Sequence, residues 1–135
     1  LLLVGEGQLK GEIEKYAMEL GIYDQIIFLG WRNDIPDLLQ AMDMYCLPSK
    51  FEGLPIVLVE AQSADLKCIS SLEVTDEVKI IDDYEVLPLK EDVWVKSINT
   101  YIQNSRPRKE NIDLIRKSGF DIQSQIRDLE ELYCS

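Results

Sequence analysis

The stretch IIFLGWRNDIPDLLQAMDMYCLPSKFEGLPIVLVEAQ, residues 26–62, decides the fold of this chain. An apolar run ends at Gly30, a short helical pattern follows with Asp34 as its expected cap, and a second apolar run ends at Pro48. Pro55 is then expected to open another helix, because proline fits the first helical position. Strands that alternate with helical patterns are typical of βαβ units and a parallel sheet.

The same alternation continues on both sides of this stretch. Upstream, LLLV predicts a strand, and the spacing of Leu9, Ile13 and Leu20 predicts a helix that Gly21 stops. The downstream predictions are a strand at KCISS (67–71), irregular or edge-like segments at EVKII (77–81) and VLPL (86–89), and helices over 92–103, 109–117 and 123–133. The predicted fold class is α/β, a Rossmann-like parallel sheet flanked by helices.

The composition excludes several classes of function. A formal net charge of −11 and an isoelectric point near 4.4 argue against nucleic-acid binding and against contact of this segment with an anionic membrane. The chain contains no histidine, which excludes Ser-His-Asp and Cys-His machinery and His-ligated metal sites within these residues. Two of the three cysteines, Cys46 and Cys68, lie in apolar strands and are expected to be small buried hydrophobes.

A ligand site is expected where the strands end, because open α/β sheets bind ligands at the carboxyl ends of their strands. These ends read GEG (5–7), GWRND (30–34), PSKFEG (48–53) and SSLE (70–73). The GEGQLKG segment has the wrong spacing for a dinucleotide fingerprint. It predicts a tight strand-to-helix turn at Gly5, where a ligand could approach the backbone closely.

Two carboxylates raise a more specific hypothesis. Glu60 stands in an apolar run and is expected to be half-buried, which costs several kcal/mol without a hydrogen-bonding partner. The amides of Ile56 and Val57 begin the helix and would attract a phosphate. A vicinal diol such as a ribose would satisfy Glu60, and with a polar group near Glu52 the pattern indicates a nucleoside diphosphate linked to something polyhydroxylated. Two alternatives stay open: Glu60 binds a neighbouring backbone amide, or its helix face is open to water.

These residues carry a family resemblance. VGEG (4–7), followed by the stretch at 26–62, resembles the C-terminal domain of the GT-B glycosyltransferases of family 4. Glu52 and Glu60 match that family's Glu-x7-Glu motif. The resemblance is strong over residues 1–72 and looser beyond. It implies a nucleotide-activated sugar, most often UDP-linked, as the donor, and transfer of that sugar with retention of its anomeric configuration.

The resemblance implies a role for individual residues. Glu52 would stabilise the positive charge that develops on the donor sugar, and Glu60 would accept hydrogen bonds from both ribose hydroxyls. The other implied donor-binding residues are Gly5, Gly30, Arg32, Gly53, Leu54, Ile56 and Val57, with the loop at 30–32 against the base, 53–54 beside the sugar and 56–57 at the diphosphate. No metal or other cofactor is expected, since the nucleotide sugar is the substrate.

The same resemblance sets the expected domain organisation. Residues 1–104 would form a nucleotide-sugar-binding domain without its first strand and helix, and residues 105–135 would be helices that pack on it. The family's diphosphate-neutralising Arg and Lys and its acceptor domain would precede residue 1, so this fragment alone is expected to be inactive. SLEVTDEV (71–78) replaces a glycine pair that the family often carries.

For the whole protein, the resemblance implies hexose transfer to a glycan or lipid-linked acceptor in cell-surface polysaccharide biosynthesis. The expected location is the cytoplasm or the inner face of the membrane. Two alternatives are a GT-B-shaped sugar-nucleotide epimerase or isomerase, and a non-enzymatic doubly wound module that binds proteins. The first relies on histidines that this chain lacks. The second would show a phosphoacceptor Asp after the third strand, which here continues LPSKFE.

Overall fold

The computed structural model describes residues 1–134. The strands are β1 (Leu2–Val4), β2 (Ile27–Gly30), β3 (Met44–Leu47), β4 (Lys67–Ser71) and β5 (Tyr84–Leu87). The helices are α1 (Lys10–Glu19), α2 (Ile35–Ala41), α3 (Ile56–Ser63), α4 (Glu91–Asn104), α5 (Ile112–Lys117) and α6 (Ile122–Cys134), with short 3₁₀ turns at Tyr23–Gln25 and Asp76–Val78.

The chain divides into two compact units, the first of which is Leu1–Ile35, with the second beginning at Pro36. In the first unit β1 and β2 pair in parallel, with Leu2 opposite Ile27. In the second unit β3, β4 and β5 form a parallel sheet in that order. The predicted α/β class with parallel, helix-flanked strands is therefore confirmed.

The end of α1 shows why the predicted glycine stop forms. Gly21 adopts a φ of +68°, which an L side chain rarely tolerates. Its amide donates to the carbonyl of Met18 at 3.0 Å, and the amide of Ile22 donates to that of Ala17 at 3.0 Å. These two bonds form a Schellman motif, which satisfies carbonyls that the helix leaves without partners.

The core of the second unit lies around β4, whose five residues are all buried. Helix α3 packs against it through one face that includes Leu58, Val59 and Ala61. Gln62, on the same side, is fully buried and uses its side chain completely: Nε2 donates to the carbonyls of Leu58 (2.9 Å) and Val78 (2.6 Å). Its Oε1 accepts from the amides of Ile80 (2.8 Å) and Ile81 (3.1 Å). A single side chain thus fixes the segment between β4 and β5.

A second buried polar group joins α3 to the segment after α4. Asp65 follows α3 with a φ of +53° and is 4% exposed. Its carboxylate accepts two bonds from the guanidinium of Arg106, at 2.6 and 2.8 Å, and one from Asn111 at 2.6 Å. The amide of Lys109 also donates to it. The linker before α5 is therefore held to the core by charge-assisted hydrogen bonds.

Two local predictions differ from the structure, and one open alternative is decided by it. Helix α3 begins at Ile56, and Pro55 is the residue before it, because its ψ of 87° is not helical. Of the two alternatives for EVKII, the irregular segment is the one found: a 3₁₀ turn ends at Val78, and Gln62 accepts from the amides of Ile80 and Ile81 that a strand would have used. Cys68 is buried as expected, but Cys46 is exposed.

None of the helices in residues 1–134 combines the length and the apolarity that a membrane crossing requires.

Candidate functional site

The loop between β3 and α3 places Glu52 beside Ser49. The hydroxyl of Ser49 donates to Oε1 of Glu52 at 2.6 Å, and the carboxylate is half-buried. The loop is itself attached to β4, because the hydroxyl of Ser71 donates to the backbone carbonyl of Ser49. The carboxylate predicted to face the donor sugar is thus held in a defined orientation.

The N-terminus of α3 carries free backbone donors. Leu58 donates its amide to the carbonyl of Pro55 at 2.9 Å, while no side chain caps the helix. The amides of Ile56 and Val57 precede the first intrahelical bond and have no acceptor within the helix. With no acidic residue in this first turn, the positive end of the helix dipole is not neutralised locally.

Glu60 is exposed, so the expectation of a half-buried carboxylate is wrong. Residues of α3 that point to solvent include Ile56, which is 50% exposed, and Ser63, one turn to either side of Glu60. The buried polar residue of this helix is Gln62, two positions later. Of the alternatives, the helix face open to water is the one found. Water can therefore solvate the Glu60 carboxylate without a ligand, and the carboxylate is accessible to one.

Tyr45 lies in β3, the strand that leads into the loop carrying Glu52, and is half-buried. Burial raises the pKa of the Tyr45 phenol to about 12, and the ionisable thiol of Cys68 contributes next, followed by the charges of Glu52 and Glu60. Nothing in the sequence singled out Tyr45, because an aromatic residue in an apolar strand is ordinary core material.

In the first unit, the ends of β1 and β2 meet through their glycines. Gly5 adopts a φ of +119° and donates its amide to the carbonyl of Gly30 at 2.7 Å. Gly30 has a φ of +63°, and a Cβ at this position would meet Oε1 of Glu6 at 2.8 Å. Both glycines line an open cleft with Gly7 and Phe28. The predicted tight turn at Gly5 is present.

Arg32 follows β2 and pairs with a neighbour. Its Nε donates to Oδ1 of Asp34 at 2.7 Å, and its Nη2 donates to Oδ2 of the same carboxylate. The hydrogen bond from Arg32 lowers the pKa of Asp34, and the same bond raises the pKa of Arg32. Asp34, predicted as a helix cap, is thus a partner of the guanidinium that was predicted to lie near the base. The adjacent Trp31 is 75% exposed.

Comparison with known families decides the identity of the chain. The model of the family described as "Glycosyl transferases group 1" matches residues 1–117. The chain belongs to the group 1 glycosyltransferases. This membership favours a glycosyltransferase over the epimerase and the protein-binding module that the sequence left open.

Individual relatives agree with this family. The chain is 36% identical over 137 residues to EpsF of Bacillus subtilis (strain 168), a match that covers 98% of this chain and 36% of EpsF. It is 31% identical over 122 residues to CapH of Staphylococcus aureus, named a capsular polysaccharide biosynthesis glycosyltransferase, covering 88% of this chain and 33% of CapH. The chain therefore spans about a third of the length of these relatives.

A solved structure supports the fold. The crystal structure of Anabaena Alr3699/HepE in complex with UDP and glucose superposes with a TM-score of 0.82, at 21% identity, over 99% of this chain and 40% of that protein. The Rossmann-like fold predicted for the C-terminal domain of a GT-B glycosyltransferase is thereby confirmed.

The residues that hold the loop of Glu52 in place were not predicted from the sequence. Ser49 lies three positions before Glu52 and could have been noticed as a possible hydrogen-bond donor. Ser71 reaches the loop only through the pairing of β3 with β4, so no local sequence pattern indicates it.

Proposed function

We propose that this chain binds the donor substrate of a group 1 glycosyltransferase, a sugar linked to uridine diphosphate. The observation that carries the proposal is the N-terminus of α3. It is uncapped and lies between Glu52 in the preceding loop and the exposed Glu60 within the helix. Backbone N–H groups that can bind a phosphate and two carboxylates that can accept from hydroxyls lie within nine residues. This combination suits a ligand that carries both phosphate and hydroxyl groups.

The diphosphate would bind the amides of Ile56 and Val57. Backbone N–H groups and the helix dipole together make a helix N-terminus a favourable place for phosphate. Gly53 and Leu54 are exposed just before the helix, so the backbone of this loop is open to the hydroxyls of the sugar. These contacts need no metal ion, which accords with a substrate bound by amides.

The two carboxylates would contact different parts of the donor. Glu60 would accept hydrogen bonds from both hydroxyls of the ribose, and its exposure leaves both oxygens accessible. Glu52 would face the sugar. A fixed negative charge beside the anomeric carbon stabilises the positive charge that develops there, as preorganised electrostatics do in many enzymes.

The base would lie against the loop that follows β2. Gly5 and Gly30 have no side chains of their own at the ends of β1 and β2, where the flexible carboxylate of Glu6 lies beside Gly30, and Arg32 is paired with Asp34 at the surface. A flat base can approach such a backbone closely.

For the whole protein we propose retaining transfer of a hexose to a glycan or lipid-linked acceptor in cell-surface polysaccharide biosynthesis. The name of CapH supports this pathway class, and the UDP and glucose bound to HepE support this donor chemistry. The acceptor would be bound outside these residues. The proposed location, in the cytoplasm or at the inner face of the membrane, follows from the resemblance alone.

Titration of the chain with UDP, GDP and ADP, followed by amide NMR shifts, tests the donor proposal. Inorganic pyrophosphate is the control that separates phosphate binding from base recognition. Shifts of Ile56 and Val57 with every diphosphate, and of Gly30 with UDP selectively, are expected. Nucleotide shifts confined to other parts of the chain would contradict the proposal.

A further inference from the structure

Two serine hydroxyls make the hydrogen bonds that support Glu52 and its loop. Ser49 donates from Oγ to Oε1 of Glu52 at 2.6 Å. Ser71 donates from its own Oγ to the backbone carbonyl of Ser49. Ser71 is fully buried and Ser49 is half-buried, so these two hydrogen bonds connect the interior of the second unit to Glu52 near its surface.

These two hydrogen bonds lie just beyond the point where the pairing of β3 with β4 ends. The pairing of β3 with β4 ends at Leu47 opposite Ser70. The next residue on the β3 side is Pro48, which has no backbone N–H and cannot continue a ladder. The side chain of Ser71 supplies the link beyond that point. The loop that carries Glu52 is therefore anchored by a side chain, one residue past the last strand pair.

We propose that Ser49 and Ser71 are positioning residues for Glu52, an inference that rests on the proposed donor-binding function. A hydroxyl bound to a carboxylate makes a short, charge-assisted hydrogen bond, which selects one rotamer of Glu52. No hydrogen-bond donor within the described chain contacts Oε2, so this oxygen is left to accept from a hydroxyl of the donor sugar. Ser71 acts one step earlier, by fixing the backbone from which Ser49 donates.

The first test measures the free protein. Three-bond NMR couplings report the side-chain rotamers of Glu52 in the unaltered chain, in Ser49→Ala, and in Ser49→Thr, which keeps the hydroxyl. Ser118→Ala is the matched control, because this exposed serine donates only to a carbonyl of its own helix. One dominant rotamer is expected in all but Ser49→Ala, where the rotamers should average. Ser71→Ala should produce the same averaging, with unfolding curves recorded to show that the variant still folds.

The second test measures donor affinity with UDP, UDP-glucose and UDP-galactose. Ser49→Ala should leave the UDP affinity unchanged and reduce the affinity for the preferred UDP-sugar by about threefold to tenfold, the size of the net contribution of one ordinary hydrogen bond. Ser49→Thr should restore it. In a Glu52→Ala background, which removes the acceptor, Ser49→Ala should have no further effect.

The outcomes separate donor binding from the positioning role. If UDP binds and Ser49→Ala changes neither the rotamers of Glu52 nor the UDP-sugar affinity, the positioning role is wrong while donor binding stands. An equal loss of UDP and UDP-sugar affinity would mean that Ser49 merely supports the loop, which also overturns the inference. If no UDP compound binds, the proposed function fails and takes the inference with it, whatever the rotamers show.

Discussion

Asp65 and Arg106, 41 residues apart in the chain, form a two-point ion pair in which the carboxylate is almost fully buried. The hydrogen bonds from Arg106 are the largest cause that lowers the pKa of Asp65, to about 2 from an ordinary value of 3.8. Since the folded pKa lies below the ordinary one, the ionised carboxylate stabilises the fold above about pH 4. This contribution is lost as the pH falls towards 2.

Asp65→Asn should therefore reduce the free energy of unfolding at pH 7 by roughly 2 kcal/mol, which corresponds to a pKa difference of nearly two units. Asparagine tolerates the positive φ at this position, so the change tests the charge and not the backbone. The reduction should shrink as denaturation is repeated at pH values approaching 2.

Asp113→Asn is the control for this prediction. Its carboxylate is 82% exposed and lies 3.7 Å from Arg116, one turn away in the same helix. Exposed pairs of this kind contribute about 0.5 kcal/mol or less. If Asp65→Asn costs no more than Asp113→Asn at pH 7, the anchoring role of the Asp65–Arg106 pair is wrong.

Gln62→Leu should destabilise the chain by roughly 3 kcal/mol, because it keeps the volume but leaves the carbonyl of Val78 and the amides of Ile80 and Ile81 buried without their partner. Urea denaturation measures the total loss. Hydrogen exchange should show that the amides of Ile80 and Ile81 lose protection before the strands do. Gln103→Leu, on the exposed side of α4, should change stability little. Unchanged protection of Ile80 and Ile81 in Gln62→Leu would contradict this role of Gln62.

Two glycines should respond to alanine in opposite directions. Gly30→Ala forces an L side chain into a φ of +63° and pushes the flexible end of Glu6 aside, at a cost of about 1–2 kcal/mol. Gly11 lies inside α1, and a Cβ added there would meet no atom within 4 Å, so Gly11→Ala should stabilise the helix by up to about 1 kcal/mol. Thermal unfolding of both variants measures the two signs. If Gly30→Ala does not destabilise the chain, the turn at Gly30 has no conformational requirement.

The sequence predicted the elements that depend on local chemistry. The alternation of apolar runs and helical spacings located the strands and helices, and Gly21 ended α1 as expected. It left the outcome open where a distant residue decides. EVKII carries strand-forming residues, yet it is irregular because Gln62, 16 to 19 positions earlier, forms hydrogen bonds with its backbone polar groups.

The candidate site divides in the same way. The spacing of Glu52 and Glu60 around the start of α3 is readable from the sequence. Their environments are not, because burial depends on which face of α3 meets β4, and the apolar run is too continuous to show it. Glu60 is exposed where half-burial was expected, and the buried polar residue of the helix is Gln62. The link from Ser71 to the loop exists only once β3 and β4 are paired.

The central claim is that Glu60 binds the ribose diol of a uridine diphosphate. It is tested most directly by the affinities of UDP and 2′-deoxy-UDP for the unaltered chain and for Glu60→Ala, with Glu14→Ala as an acidic control on α1. A diol bound by a carboxylate predicts that UDP binds at least about tenfold more tightly than 2′-deoxy-UDP, and that Glu60→Ala removes this difference while Glu14→Ala preserves it. Equal affinities for the two nucleotides, or a preference for UDP that survives Glu60→Ala, would contradict the claim.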